Sequence, residues 1–291
     1  MRKTWLITGS SRGFGWELAQ AVLDSGDALL ATARRPDQLD ELVRKHGDRV
    51  RTFALDVTDA AAARAAVQTA VDEFGSLDVV VNNAGYGNSA PIEDFPDDDF
   101  RAEIETNLFG LVNVTKAALP VMRKQRSGHI IQFSSMGGRV GGTPGMGAYQ
   151  TAKWGVEGFS EVLANEVGPL GIKVTIIEPG GFRTDWAGSS MRTLPVREDY
   201  DQTVGAMNRY RESTAASWPG DPARAARIIV DIARLDEPPL RLLLGASAVD
   251  SAEKASRSRA VEAEKWAYVS RSADFGADLP LSSGTGSGTT P

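Results

Sequence analysis

"TWLITGSSRGFGWELAQAVL", Thr4–Leu23, is the stretch on which the fold turns. Its first five residues, Thr4–Thr8, form a short apolar run the size of a buried strand. Glycines follow at positions 9, 13 and 15, and Phe14–Leu23 then reads as a helix. A strand that passes through a Gly-rich turn into a helix is the opening unit of an α/β sheet. Glycine admits positive φ and lets backbone approach a ligand closely. The helix behind the turn points its free N–H groups at it, which suits a pyrophosphate. The spacing is not GxGxxG, and an ordinary strand–helix turn can be as rich in glycine. Position favours the phosphate reading, because this turn ends the first strand and opens the first helix.

The alternation continues along the chain. Strand-like runs lie at Thr4–Thr8, Ala28–Ala33, Val50–Leu55, Leu77–Asn83, His129–Ser135, Lys173–Pro179 and Leu240–Gly245. Helices are expected at Phe14–Leu23, Pro36–Lys45, Asp59–Phe74, Asp97–Lys124 and Tyr149–Val167. Most of the strand runs are continuously apolar, the mark of strands buried on both faces. The pattern predicts an α/β fold, a single Rossmann-type doubly wound parallel sheet of about seven strands with helices on both faces. Crossovers should be right-handed. Residues 1–281 read as one domain, with an insertion at 184–218 and an alanine-rich helix at 247–270. The low-complexity tail 282–291 is expected to be disordered.

Composition removes several function classes. The 291 residues are 42% hydrophobic and 24% charged, the balance of a water-soluble globular protein. A net charge of −6 speaks against nucleic-acid binding, which needs a basic face. The absence of cysteine excludes disulfides, thiolate nucleophiles and Cys-ligated zinc. His46 and His129 are the only histidines, too few for a His-rich metal site and a poor supply for a Ser-His-Asp triad. His46 reads as a solvated helix-end residue and His129 as a strand start. Asp97–Asp99 reads as an acidic helix start that complements the helix dipole, not as a metal site. No span is apolar enough for a membrane helix, and the first strand at Thr4 leaves no room for a leader, so a cytoplasmic protein is expected.

Ligands in open α/β sheets bind beyond the carboxyl ends of the strands. The second strand ends in "ATARRP", with Arg34 and Arg35 where an acid would otherwise hold a free ribose 2′-hydroxyl. Arg12 lies in the glycine turn. Arginine makes forked contacts with phosphate, so NADP(H) is expected ahead of NAD(H), with solvated surface arginines as the plain alternative. Asp56, after the third strand, is placed to accept from an adenine amino group, and Asp59 to cap the next helix. "NNAG", Asn82–Gly85, offers small residues for close approach to a ribose. In "AYQTAKWGVEGF", Ala148–Phe159, Tyr149 and Lys153 stand one helical turn apart on one face. A half-buried tyrosine beside a snorkelling lysine explains the pair; so does an acid whose proton affinity is set by a cation. The pair alone does not choose.

Taken in order, the "TGSSRGFG" turn, "NNAG", Asn107 in "ETNLFG", the serine after the fifth strand, Tyr149 with Lys153, and "PGGFRT" at 179–184 resemble the short-chain dehydrogenase/reductase family. The resemblance covers about residues 3 to 245. It implies a nicotinamide-dependent oxidoreductase that interconverts alcohols and carbonyl compounds, with Asn107, Ser135, Tyr149 and Lys153 as its catalytic set. It places the cofactor against Gly9, Ser11, Arg12, Gly13, Phe14 and Gly15 of the first turn, and against Arg34, Arg35, Asp56 and Val57. Further contacts fall on Asn83, Ala84 and Gly85, on Tyr149 and Lys153, and on Pro179, Gly180, Phe182 and Thr184. Tyr149 would exchange a proton with the substrate oxygen, its ordinary pKa of about 10 drawn down by the Lys153 ammonium and the positive ring of the oxidised cofactor. Ser135 would bond the same oxygen, although Ser134 and Ser135 also suit plain strand-end hydrogen bonding. Lys153 would hold the nicotinamide ribose, Asn107 a water linking Lys153 to solvent, and Thr184 the carboxamide. Relatives pair through the helices assigned here to 97–124 and 149–167, which implies a homodimer or homotetramer. The alternatives are a redox-sensing NADPH-binding regulator without turnover, an NAD-dependent alcohol dehydrogenase of the same family, and a nucleotide-sugar epimerase or dehydratase. The short stretch after the seventh strand disfavours the last of these.

The insertion 184–218 is expected to fold over the nicotinamide as a lid. Trp186, Met191, Leu194, Val196, Tyr200, Met207, Tyr210 and Trp218 would either line a pocket for a hydrophobic carbonyl or alcohol substrate or pack the lid on the body. Arg183 and Arg192 leave an anionic substrate open. The helix 247–270 is expected to pack through Trp266 and help close the pocket.

Overall fold

Trp5 and Ile7 face one side of a central sheet and Leu6 faces the other, and all three are fully buried. Leu29 and Ala31 oppose Leu30 in the same way, as Val79 and Val81 oppose Val80. Successive strand side chains alternate between faces, and here both faces are covered, so the runs are apolar without a break.

The computed structural model describes residues 2–184 and 190–276. In chain order the elements are β1 (Thr4–Ile7), α1 (Gly13–Asp24), β2 (Ala28–Ala33), α2 (Asp40–His46), β3 (Val50–Ala54), α3 (Ala60–Phe74), β4 (Val79–Asn82) and β5 (Gly87–Ser89). Then come α4 (Asp97–Ile104), α5 (Gly110–Gln125), β6 (Gly128–Phe133), α6 (Met136–Arg139), α7 (Gly147–Val167) and β7 (Ile172–Pro179). The chain finishes with β8 (Met191–Thr193), α8 (Ala206–Thr214), α9 (Pro222–Ile232), β9 (Arg241–Leu244) and α10 (Ala246–Arg271). Seven strands form one parallel sheet in the order β3-β2-β1-β4-β6-β7-β9. The chain builds outward from β1 to β3, then crosses back to β4 and builds the other way. The reversal between β1 and β4 is the switch point where such sheets bind ligands.

Residues of α1, α2 and α9 cover one face, led by Leu18, Val22, Leu42 and Ile229. Residues of α3, α5 and α7 cover the other, led by Val67, Val114, Met122 and Leu163. Asp59 caps α3, its Oδ1 accepting from the N–H groups of Ala61 (2.7 Å) and Ala62 (3.0 Å), and Gly75 ends the helix at φ +85°. No helix among the described residues is long and apolar enough to cross a membrane.

The structure departs from expectation in four places. The helix expected over 97–124 is α4 and α5 joined by a π turn, Glu105–Phe109. A second, two-stranded sheet pairs β5 with β8 and so ties the insertion to the loop after β4. Its strands, "GNS" and "MRT", are too short to carry a periodic signal. His46 ends α2 as expected but is buried, not solvated, and its Nδ1 accepts a hydrogen bond from Arg49 Nη2 at 3.3 Å. The C-terminal helix forms, yet Trp266 is 48% exposed and α10 docks through Ala248 and Ala252 instead. Beyond them Arg259 holds it, donating to the carbonyls of Arg139 (2.8 Å) and Val140 (2.6 Å) and lying over the Trp154 ring. The expected tail 282–291 and Trp186 lie outside the described residues.

Candidate active site

The strand ends at the switch point open into one cavity of about 520 Å³. Gly9 and Gly13, at φ +68° and +54°, give the first turn a backbone path closed to most side chains. Gly15 answers a different need. A Cβ there would lie 2.1 Å from the Gly9 carbonyl and 2.6 Å from Asn83 Nδ2, so only hydrogen lets α1 seat on the turn. Arg12 precedes α1 without a side-chain cap bond, and the helix has no acid in its first turn. A glycine cradle at the positive end of a helix fits the pyrophosphate of a dinucleotide. Asn83 is a brace as well as a lining residue: Nδ2 donates to the carbonyls of Thr8 (2.9 Å) and Gly9 (3.1 Å), locking the turn to β4. The strand-end pattern around "NNAG" did not reveal that role.

Gly9, Ser11, Arg12, Gly13 and Phe14 line the cavity, and Gly15 lies behind them. On the β2 side stand Arg34, Arg35, Asp56 and Val57. Arg35 also pairs with Asp37 at 3.0 Å, with both side chains mostly in solvent, where such a pair is weak and easily exchanged. Asp56 Oδ1 accepts from the Thr58 N–H (3.0 Å) and hydroxyl (2.7 Å), which, with Arg34 nearby, holds its carboxyl below the usual range. Ala84 and Gly85 line the middle, and Pro179, Gly180, Phe182 and Thr184 the far wall. Phe14 is tilted against Phe133 and Phe182, with centroids 5.6 and 4.9 Å away, and the three rings back the cavity with an apolar wedge.

At the end of β6 the side chains singled out in the sequence converge. Ser135 caps α6, its oxygen accepting from the Gly137 N–H at 3.0 Å, and it also hydrogen-bonds the Tyr149 hydroxyl. Ser134 instead turns into the body, towards the Lys153 carbonyl. Lys153 is buried, and Nζ donates to the Phe133 carbonyl at 2.6 Å while lying 5.7 Å from the Tyr149 ring centre. Burial lowers its pKa to about 8, against the opposing pull of Glu157 and Glu103. Asn107 sits in the π turn, its amide engaged at both ends by the Tyr86 backbone: Nδ2 donates to the carbonyl (2.7 Å) and Oδ1 accepts from the N–H (3.0 Å). Gly85 passes between Asn107 and Lys153, where a Cβ would lie 2.9 Å from Asn107 Oδ1.

The surroundings that the protein alone gives Tyr149 act upward on its pKa. Burial pushes the Tyr149 phenol up, against a smaller downward pull from the Ser135 hydrogen bond, and Glu103 adds to the rise. The Lys153 ammonium is directed at the Phe133 carbonyl and does not offset this in the protein alone.

Glu103 was not anticipated. It is fully buried in α4, one oxygen accepting from the Asn88 N–H at 3.0 Å and the other without a partner. Burial raises its pKa to about 8. In the sequence it reads as one more acid of an acidic helix, and only tertiary packing distinguishes it. Between about 4.5 and 8 the folded chain keeps a proton here that the unfolded chain has released, so stability falls as pH rises through that window. Glu103→Gln cannot ionise. Its melting temperature should match the parent near the lower limit and exceed it by several degrees above the upper one, on the order of 5 kcal/mol. Parallel melting curves for the two proteins across that range would show that Glu103 is not the source.

The lid is less of a pocket than expected. Thr184, Ser190 and Trp218 line the cavity, whereas Leu194 packs with Phe95, Phe100 and Ala148 outside it. Tyr210 is exposed, Tyr200 bonds Glu93, and Arg192 pairs with Asp99. No residue of α10 lines the cavity. Among the described residues no three His, Asp or Glu side chains converge to hold a metal ion.

Residues 3–194 match the short chain dehydrogenase family model. The chain belongs to the short-chain dehydrogenase/reductase family. It is 52% identical over 271 residues to the oxidoreductase BOA17 of Botryotinia fuckeliana, covering 93% of this chain and 98% of that one. A solved short-chain dehydrogenase from Streptomyces avermitilis superposes with a TM-score of 0.87 at 38% identity, covering 94% of this chain and all of that one (100%). The alcohol dehydrogenase of the archaeon Thermococcus sibiricus, solved with 5-hydroxy-NADP, gives 0.68 at 26% identity, covering 84% of this chain and 96% of that one. The protein is thus an oxidoreductase of this family, whose members act on alcohol and carbonyl groups of small molecules.

Proposed function

We propose that the enzyme interconverts a carbonyl compound and its alcohol with NADP(H), using Tyr149 as the general acid/base. The observation that carries this is the meeting of Ser135, Tyr149 and Lys153 in a cavity that also reaches the arginines at the end of β2. The dinucleotide, when bound, gives or takes the hydride. The side chains do the rest. Tyr149 gives its proton to the carbonyl oxygen, or takes it from the hydroxyl in the reverse direction. Its raised proton affinity keeps the phenol protonated, the form that reduction uses. Ser135 holds the same oxygen as charge develops on it. Lys153 holds the ribose hydroxyls, Asn107 fixes the Gly85–Tyr86 backbone beside it, and Thr184 orients the carboxamide. Gly9–Gly15 cradle the pyrophosphate, Asp56 and Val57 flank the adenine, and Arg12, Arg34 and Arg35 grip a 2′-phosphate. The NADP analogue in the Thermococcus alcohol dehydrogenase supports this choice of cofactor.

The cofactor assignment is tested by charge reversal. The parent should prefer NADPH over NADH in kcat/KM, and Arg34→Asp with Arg35→Asp should cut that ratio about a hundredfold or invert it, since a carboxylate repels the 2′-phosphate and bonds a free hydroxyl. A parent that prefers NADH would leave these arginines as surface charges.

Residues 1–281 act as one nucleotide-binding domain in this proposal, in a cytoplasmic homodimer or homotetramer. Exposed Phe109, Trp154 and Val162, on the π turn and α7, support pairing through the long helices.

A further inference from the structure

Among the described residues, the insertion sends one large side chain into the cavity. Leu194 packs elsewhere, Tyr210 is exposed, and Arg211 is buried against Asn208 and Met146, outside the cavity. Trp218 lines it, on the wall made by Pro179, Gly180, Phe182 and Thr184. The backbone fixes it there. The Gly220 N–H donates to the Gly181 carbonyl at 3.2 Å and the Arg183 N–H to the Gly220 carbonyl at 3.0 Å, a parallel bridge that straps the end of the insertion to the segment after β7. The fit is close. A Cβ on Gly220 would lie 2.5 Å from both the Gly181 carbonyl oxygen and the Phe182 ring, and one on Gly181 would lie 3.1 Å from the Trp218 ring. Glycine at both places lets the indole rest directly on backbone. Its Nε1 donates to Thr214 Oγ1 at 3.2 Å. The polar atom of the indole is thus spent inside the insertion, and what the ring offers the cavity is carbon.

Charge is spread unevenly around the cavity. Arg12, Arg34, Arg35 and Asp56 stand at the first turn and at the ends of β2 and β3, where the proposed scheme puts the adenosine half of the dinucleotide. At the end that holds Ser135 and Tyr149, Lys153 is the one charged side chain among the described lining residues, and its Nζ is already bonded to the Phe133 carbonyl. A charged substrate would find no counter-ion there beyond that engaged ammonium, and burying it unpaired is costly. A flat apolar group would find an indole held ready, and ring pairs gain more than the area they bury.

We propose that Trp218 is the substrate-binding wall of the pocket, and that the substrate is an uncharged carbonyl or alcohol compound bearing a flat ring. This rests on the proposed carbonyl–alcohol reaction and names its substrate class.

The test uses the full-length protein with benzylacetone, its longer-spacer homologues and their cyclohexyl analogues, followed by NADPH consumption. Each pair presents the same carbonyl and differs only in a flat against a puckered ring. The parent should favour the phenyl ketones by about fivefold in kcat/KM, mainly through KM, and should disfavour benzylacetone bearing a para carboxylate by about tenfold or more. Trp218→Leu should bring the phenyl-to-cyclohexyl ratio close to one while NADPH affinity stays within about twofold. Trp218→Phe keeps a flat ring and should fall between the two; it carries the test if the leucine variant does not fold. A ratio equal to the parent's in the folded variants overturns the wall while leaving the carbonyl reaction standing. Loss of NADPH affinity with the ratio intact assigns the indole to the cofactor and overturns the substrate reading, and equal use of the carboxylate-bearing ketone overturns the uncharged class. A second readout needs no turnover. With NADPH bound, the alcohol of benzylacetone has no hydride acceptor, and it should raise the parent's melting temperature more than its cyclohexyl counterpart does, a difference lost in Trp218→Leu. If that holds while no ketone is reduced, the wall stands and the proposed reaction falls.

Discussion

Tyr149→Phe is expected to lower kcat by about 10²–10⁴-fold while changing NADPH affinity by no more than about twofold to threefold. The substitution removes one oxygen. The ring keeps its place in the first turns of α7, and the bond to Ser135 that goes with the oxygen does not hold an element together. Ser135 and Lys153 stay where β6 and α7 put them, so the cavity keeps its shape. What goes is the proton. A hydride that reaches a carbonyl carbon leaves an alkoxide that no other group at that position is placed to neutralise: Lys153 Nζ is directed at the Phe133 carbonyl, and Ser135 is a far weaker acid. Steady-state rates with NADPH and a reducible carbonyl compound, alongside cofactor titration by fluorescence, separate the two quantities. Activity within a few-fold of the parent would mean that the phenol is not the acid.

Lys153→Met is expected to lose both properties at once. It should reduce turnover by about a hundredfold or more and weaken NADPH binding by about tenfold, because the proposed scheme gives the ammonium two tasks, ordering the phenol's surroundings and holding the ribose. Methionine nearly preserves the length and volume of the buried stem, so the effect is not one of packing. Burial brings Lys153 to about 8, so in the parent the hold on the cofactor should weaken as pH rises through that value, and in the variant it should not. Calorimetric titration of NADPH into both proteins below and above that pH measures this. Unchanged affinity in Lys153→Met would remove the ribose contact from the scheme.

The strands were readable because both faces of the sheet are buried. Leu29, Leu30 and Ala31 must all be apolar when helices cover both sides, and the run announces itself. Tyr149 and Lys153 were readable because a spacing of four residues is itself a statement about one helix face. Gly9 and Gly13 were readable because positive φ needs glycine. The rest depends on contacts between distant segments. Glu103 and Arg211 lie in stretches rich in charge, and nothing local marks one acid among α4 residues or one base in the insertion as buried. The rise in the Tyr149 pKa follows from how much protein surrounds the phenol and from where Lys153 Nζ is directed, and residue spacing reports neither. Trp266 misled because a tryptophan in an alanine-rich helix suggests an anchor. The docking is done by the small residues Ala248 and Ala252, which let α10 approach the body closely, and by Arg259 further along.

The proposed reaction is direct hydride exchange between a nicotinamide and a carbonyl carbon, with Tyr149 providing the proton. NADPH deuterated on the transferred face at C4, incubated with the enzyme and a carbonyl compound that it consumes, tests this through mass spectrometry of the product. One deuterium is expected on the carbinol carbon of the alcohol, with formation of that product lost in Tyr149→Phe. A product without deuterium, or labelled product formed equally well by Tyr149→Phe, would contradict it.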